Sequence, residues 1–312
     1  MRHFLSSADV TVDEQRALIA RAIDLKQSRA ALARPLAGKS VGLIFEKPST
    51  RTRVSFEAAI FELGGNAIAL RSDELQLGRG ETLQDTGTVL SRYLAGIVMR
   101  TFGQDRLEEV AEMATIPVIN ALSDMEHPCQ ALADVMTITE RFDDLSQVRL
   151  AYLGDGNNVC HSLLLAGAKA GFAEIRVAAP KGFEPIEPIV EMAAQIGEET
   201  GCRIEVTSDP SAAAKGAHVL YTDVWTSMGQ DQERDTRLKA FEGFQISNDR
   251  LAEAAPDAIV LHCLPAHRGE EIAGDVIDGL QSAVWDQAEN RLHTQKALLE
   301  FLIGSRRRSP RK

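Results

Sequence analysis

The stretch Val41-Gly42-Leu43-Ile44-Phe45-Glu46-Lys47-Pro48-Ser49-Thr50-Arg51-Thr52-Arg53 decides how this chain is read. Its first five residues form a compact apolar strand. Residues Arg51 to Leu63 read as a helix with Val54, Ala58 and Phe61 on one stripe, stopped at Gly64-Gly65. A second strand, Asn66 to Leu70, follows. Strand, turn, helix and strand in this order make a parallel α/β unit, and strands this continuously apolar are covered on both faces.

The same rhythm extends in both directions. Upstream, Thr11-Val12-Asp13-Glu14 fits a capping box that opens a helix to about Ala31, ended by Pro35 and Gly38. Downstream come helix 82–94, strand 96–100, helix 106–114 and strand 116–121. Pro128 suits the first turn of a helix running to Arg141 that links two halves. A second series then begins: strand 148–153, helix 158–170, strand 174–179, helix 186–200 and strands 203–207, 218–222 and 258–262, with a closing helix from 288 to 303. The expected fold class is α/β, two doubly wound domains with parallel sheets joined by interdomain helices. The expected domains are 1–140 with the closing helix 288–304, and 148–287. The basic tail 305–312 reads as a solvated terminus.

Composition narrows the function classes. At about 150 residues per domain, 312 residues fit two domains. A hydrophobic share of 44% and a charged share of 25% are ordinary globular values. The net charge of −11 makes a general nucleic-acid or membrane-surface binder a poor reading, so any anion site must be a local concentration of donors. No apolar run approaches a membrane span, and the start from Met1 to Asp9 is too short and polar for a secretory signal. Cys129, Cys160, Cys202 and Cys263 stand far apart without metal-type pairing, which suits a reduced, cytoplasmic protein.

The turn Pro48-Ser49-Thr50-Arg51-Thr52-Arg53 lies at the carboxyl end of a strand and the start of a helix, where open α/β sheets bind ligands. Helix-start N–H groups, the hydroxyls of Ser49, Thr50 and Thr52, and the planar fork of Arg51 suit a phosphate dianion. Arg100 ends another strand, and His127-Pro128-Cys129-Gln130 begins the linking helix. An arginine, a histidine and a glutamine converging on the turn would supply donors to a phosphate and to a carbonyl oxygen, as acyl transfer requires. Gly154-Asp155-Gly156-Asn157-Asn158-Val159 imitates a dinucleotide fingerprint but has Val159 where the third glycine belongs.

Ser49-Thr50-Arg51-Thr52-Arg53, His127-Pro128-Cys129-Gln130 and His262-Cys263-Leu264-Pro265 together resemble the transcarbamylases. Asp223-Val224-Trp225-Thr226-Ser227-Met228-Gly229 narrows the resemblance to the ornithine branch of the aspartate/ornithine carbamoyltransferase family, over nearly the whole chain. The aspartate branch carries a lysine in the loop corresponding to 71–82, and this chain has none between Leu70 and Thr88.

The resemblance implies transfer of a carbamoyl group from carbamoyl phosphate to the side-chain amine of L-ornithine, giving citrulline and phosphate. It assigns carbamoyl-phosphate binding to Ser49, Thr50, Arg51, Thr52, Arg100, His127, Pro128, Cys129, Gln130, Cys263, Leu264 and Arg291, with Gln76 lent by a neighbouring subunit. Ornithine falls to Asn158, Asp223, Ser227 and Met228, and the catalytic set is Arg51, Thr52, Arg100, His127, Asp223 and Cys263. Arg291 is expected at the start of the closing helix. Cys263 either accepts a proton beside ornithine or only packs. Homotrimers with sites at subunit boundaries are implied, with no metal or organic cofactor; the same chemistry serves arginine biosynthesis or citrulline breakdown, and biosynthesis is the default reading. The alternatives are a carbamoyltransferase for a modified ornithine or a diamine, a nucleotide-dependent dehydrogenase built on the 154–159 turn, and a phosphate-binding module without turnover.

Overall fold

A computed structural model describes residues 1–29, 33–71, 80–226 and 231–304. Gln76, Ser227, Met228 and the tail 305–312 lie outside the described residues. The chain divides into two compact units, 1–129 with 291–312, and 130–290.

The first unit holds α1 (Val12–Gln27), β1 (Ser40–Phe45), α2 (Thr50–Glu62), β2 (Asn66–Arg71), α3 (Leu83–Tyr93), β3 (Gly96–Arg100), α4 (Gln104–Met113) and β4 (Val118–Leu122). The capping box at Thr11 forms: its side chain accepts from the Glu14 N–H, and Glu14 reaches back to the Thr11 N–H at 2.9 Å. Helix α1 stops at Gln27, short of Ala31, where the Ser28 N–H closes on the Asp24 carbonyl. The four strands are parallel in the order β2-β1-β3-β4. The chain leaves β1 toward β2 on one side and returns to β3 on the other, so the topological switch point lies between the carboxyl ends of β1 and β3. Phe45 and Arg100 are register partners there.

Helix α2 turns a different face inward from the one its stripe suggested. Val54 is 57% and Phe61 77% exposed, whereas Phe56, Ala59 and Ile60 are fully buried with Thr52. Both stripes recur at helical spacing. Position against the sheet, which the sequence does not display, decides between them.

In the second unit are most of α5 (Pro128–Thr139), β5 (Arg149–Leu153), α6 (Asn158–Ala170), β6 (Glu174–Ala178), α7 (Glu187–Thr200), β7 (Arg203–Thr207), α8 (Pro210–Ala214), β8 (Val219–Thr222), α9 (Arg234–Ala240), α10 (Asn248–Glu253), β9 (Ile259–His262) and α11 (Gly274–Ile277). Its parallel sheet runs β7-β6-β5-β8-β9, with the switch between β5 and β8. A core of Ala151, Leu153, Leu220, Phe241, Val260 and Val276 covers one face. Helix α12 (Val284–Leu299) passes from this unit into the first at Arg291. It begins four residues before the expected start at 288. Arg291 therefore stands two turns inside the helix rather than at its start, a correction to the sequence reading. The early start is consistent with Gln287, whose N–H bonds to the Ala283 carbonyl.

Candidate functional site

Two constellations occupy the two switch points. In the first unit, Ser49 is the N-cap of α2, in extended backbone, and its hydroxyl accepts from the Thr52 N–H at 3.3 Å. No acidic residue occupies the first turn. Thr50 and Arg51 are exposed, while Thr52 is 1% exposed. Arg291 Nη2 donates to Thr52 Oγ1 at 2.8 Å, so the threonine hydroxyl proton points elsewhere. A cavity of about 470 Å3 lies beside the turn, lined by Pro48, Ser49, Thr50, Arg53 and Val54 from the turn and by Ala69, Leu70 and Arg71 from edge strand β2.

Arg100 ends β3 beside β1 and is 9% exposed, with its backbone carbonyl accepting from the Glu46 N–H. Glu46 in turn accepts from Arg106 at 3.0 and 2.5 Å and from the Thr101 hydroxyl, fixing the strand ends. His127 is held by the loop before it. Ser123 and Glu126 close on each other's backbone, and the Glu126 carboxylate accepts from the Ser7 N–H at 2.9 Å. Burial, and then the positive charges of Arg291, Arg100 and Arg51, hold His127 well below the usual histidine value. The imidazole is therefore neutral at pH 7, and three guanidinium groups act on it electrostatically in a chain whose net charge is −11. Burial also lowers Lys47, helped by Arg100; its ammonium lies 4.3 Å from the centre of the Phe102 ring. Sequence reasoning had passed over Lys47. Cys129 is otherwise engaged. Its thiol donates to the Asn120 carbonyl at 3.2 Å, and burial pushes it up to about 12.

In the second unit, Asn157 caps α6, accepting from the Val159 and Cys160 N–H groups at 3.0 and 3.2 Å. Asn158 is the first helical residue and half-buried. Asn157 Nδ2 donates to Asp223 Oδ2 at 2.8 Å, and Cys263 Sγ donates to Asp223 Oδ1 at 2.9 Å. Register explains the second contact: Thr222 and His262 are partners on β8 and β9, so the next residues emerge side by side. His262 Nδ1 accepts from the Leu264 N–H at 2.9 Å, which leaves Nε2 protonated and donating to Glu271 at 3.1 Å. That clamp holds Leu264 at φ +60°, a region side chains rarely adopt. With both ring nitrogens used, His262 does not serve as a metal ligand beside Asp223 and Cys263, although the three groups lie within 4.8 Å of one another.

Gly156 is required by packing. A Cβ there would stand 2.1 Å from Pro185 N and 2.3 Å from the Glu184 carbonyl carbon. Asp155, raised by burial and countered by Arg237, pairs with that arginine at 2.8 Å. Arg237 also donates to the Trp225 carbonyl at 3.0 Å and lies over Phe183. It thereby anchors the segment after Asp223. Arg237 and Asn157 were missed from sequence. Asn157 carried a signal, being the cap position before a helix; Arg237 carried none, since its partner is 82 residues away.

Known proteins resemble the chain throughout. The family description "Aspartate/ornithine carbamoyltransferase, carbamoyl-P binding domain" matches residues 2–140, and the "Asp/Orn binding domain" of the same family matches 146–302. An ornithine carbamoyltransferase of Acidothermus cellulolyticus is 61% identical over 304 residues, covering 97% of each chain. One from Synechocystis is 52% identical over 303 residues, again covering 97% of both. Among solved structures, ornithine carbamoyltransferase from Pyrococcus furiosus superposes with a TM-score of 0.94 at 49% identity, covering 98% of each chain. The anabolic ornithine carbamoyltransferase from Campylobacter jejuni gives 0.92 at 40% identity, covering 98% of this chain and 100% of its own.

Proposed function

This chain belongs to the aspartate/ornithine carbamoyltransferase family, and from that premise we infer that it is an ornithine carbamoyltransferase, moving the carbamoyl group of carbamoyl phosphate onto the side-chain amine of L-ornithine with release of phosphate. The observation that carries the reading is the neutral His127 among Arg51, Arg100 and Arg291, beside a helix start that caps with Ser49. Such a cluster suits a phosphate dianion and the oxyanion that develops when a carbonyl carbon is attacked.

The unit built on 1–140 and the closing helix takes carbamoyl phosphate, and 148–287 takes ornithine. Ser49, Thr50, Arg51 and Thr52 hold the phosphate. Thr52, Arg100 and His127 donate to the carbonyl oxygen as it gains charge, with Arg291 orienting Thr52. Losing one such donor costs about 2.7–4 kcal/mol of barrier. Asn158 holds the amino-acid carboxylate, with Ser227 and Met228 completing the ornithine site, and Asp223 pairs with an ammonium. Cys263 and the Leu264 carbonyl border the reacting amine. Pro128 and Cys129 shape the wall, and Gln130 reads the carbamoyl group. Only the neutral amine attacks, and its reference value near 10.4 leaves on the order of one molecule in two thousand reactive at pH 7. The rate therefore rises from pH 6 toward 8.5.

We also infer a homotrimer with shared sites. The cavity between the phosphate turn and edge strand β2, together with the exposed Val54, Phe61 and Ile68, supports a neighbour packing on this face and supplying Gln76. A cytoplasmic role in arginine biosynthesis fits the free cysteines and the similarity to an anabolic enzyme. No described helix is long and apolar enough to cross a membrane.

The test is citrulline formation from carbamoyl phosphate with a panel of amines. Ornithine should be the preferred acceptor by orders of magnitude. Turnover of a diamine or a modified ornithine in its place would overturn the substrate assignment.

A further inference from the structure

The clamp on Leu264 leaves one polar atom over. Glu271 is fully buried, and its Oε1 accepts from His262 Nε2 at 3.1 Å and from the His267 backbone N–H at 2.5 Å. Among the described residues nothing donates a hydrogen bond to Glu271 Oε2, although that atom is buried too. A buried carboxylate oxygen without a bond calls for a cause, and a bound ion is one. Neighbouring charges do not supply it. The ring of His262 is neutral, because its Nδ1 accepts from the Leu264 N–H. Arg268 pairs with Asp278 at 2.8 Å, and Arg234 pairs with Oε1 of Glu270. Setting each arginine against its partner leaves the charge of Glu271 uncompensated, which a buried carboxylate does not tolerate cheaply.

The groups beside Oε2 are metal ligands by type. Gly269, at φ +92°, turns the chain between β9 and α11, and the Glu270 N–H closes on the His267 carbonyl at 2.9 Å. The turn brings His267 Nδ1 to 3.8 Å from Glu271 Oε2 and 3.9 Å from Glu270 Oε2. These separations are too long for hydrogen bonds. They fit two ligands on one ion, which at about 2.1 Å each stand at most about 4.2 Å apart. A nitrogen of His267 and one oxygen from each carboxylate all lie within 4.8 Å of one another. The His267 side chain is 48% exposed, which gives an ion a way in, and Glu270 borders a cavity of about 490 Å3 with room for water ligands. One imidazole and two carboxylates suit a cation of the manganese-to-zinc row. We propose that His267, Glu270 and Glu271 bind a first-row divalent metal ion, with water filling the rest of its coordination shell. None of the three is a group of the proposed reaction, so the site stands or falls apart from that reading. The ion holds Glu271 by its second oxygen and so stiffens the clamp that runs through His262 to Leu264.

The test titrates Mn2+ into the chelator-treated full-length protein and follows the free ion by electron paramagnetic resonance. Manganese is the probe because it prefers oxygen and nitrogen ligands to a thiol, so the Asp223–Cys263 pair competes poorly for it. Wild type should take up one Mn2+ per chain, saturably. His267→Ala and Glu270→Gln each remove one ligand and should weaken that site at least about tenfold, since even losing the partner of a ligand costs that much. The glutamine still accepts from Arg234. Cys263→Ser should bind Mn2+ as wild type does. Mn2+ should also raise the urea midpoint of wild type and leave that of His267→Ala where it is, a difference that a merely structural histidine does not produce. Both variants lie at partly exposed positions, and the urea curve without metal checks that they fold. No uptake, or uptake at several weak sites that both variants keep, overturns the proposal and leaves Oε2 to water or to a protonated His267. Binding lost in Cys263→Ser but kept in His267→Ala moves the ion to Asp223 and overturns it equally.

Discussion

His127 sits buried among three guanidinium groups, and its protonation is linked to folding. Its folded-state value is depressed, so below the unfolded value near 6.5 the unfolded chain takes up a proton that the folded chain refuses. The sign follows: this residue makes stability fall as pH drops below about 6.5, by at most about 1.4 kcal/mol per pH unit, and adds no slope above it. His127→Gln should flatten the stability profile between pH 5 and 6.5 in urea titrations. An unchanged slope would mean the imidazole is already protonated when folded. Cys263 poses a second question at this scale. Its thiol donates to Asp223, and a thiolate there would stand against a carboxylate, so of the two acceptors proposed beside ornithine the geometry favours Asp223 over Cys263. Cys263→Ser keeps a donor in that place. It should leave the pH–rate profile of citrulline formation unmoved and change the KM for ornithine only a few-fold; a displaced profile would restore Cys263 as an acid–base group.

Elements carry these residues to the switch points, and the 154–158 turn shows how. Gly156 lets the chain pass against Glu184 and Pro185, which sets where α6 begins and hence where Asn157 and Asn158 stand. Gly156→Ala forces backbone apart and should cost about 1–3 kcal/mol in chemical denaturation. It should also weaken binding of norvaline, an ornithine mimic, more than binding of phosphonoacetamide, a carbamoyl-phosphate mimic, because only the second unit's turn is disturbed. Equal weakening of both would point to a general loss of structure. At this scale the sequence was most legible where strands are buried on both faces: β1, β3, β5 and β9 announce themselves as largely apolar runs. It was ambiguous for α2, whose Val54–Phe61 and Phe56–Ile60 stripes both have helical period. It was silent for α8 to α11, at four to seven residues too short for periodicity to register. The phosphate turn and the Asp223–Cys263 pair were legible as motifs. The Asp155–Arg237 pair was not, since 82 residues separate its members and only the fold brings them together.

For the whole molecule, the decisive matter is whether one protomer completes its own site. Gln76 lies outside the described residues, and the cavity beside Ser49 and Arg53 borders strand β2, which is the edge of its sheet among the described residues. If a closed ring of three copies shares its sites, each site combines Arg100 from one copy with Gln76 from the next. Gln76→Ala and Arg100→Ala should each abolish most activity alone. Dissociated, mixed in equal amounts and reassembled at random, the two variants should regain about one quarter of wild-type activity, because a site is intact when an Arg100-bearing copy is followed by a Gln76-bearing one. Were Gln76 to serve its own copy, every site would lack one of the two residues whatever the mixture. Sedimentation on the same samples checks that hybrids formed. Well-formed hybrid trimers with no recovered citrulline synthesis would therefore place both residues in one protomer and remove the shared site.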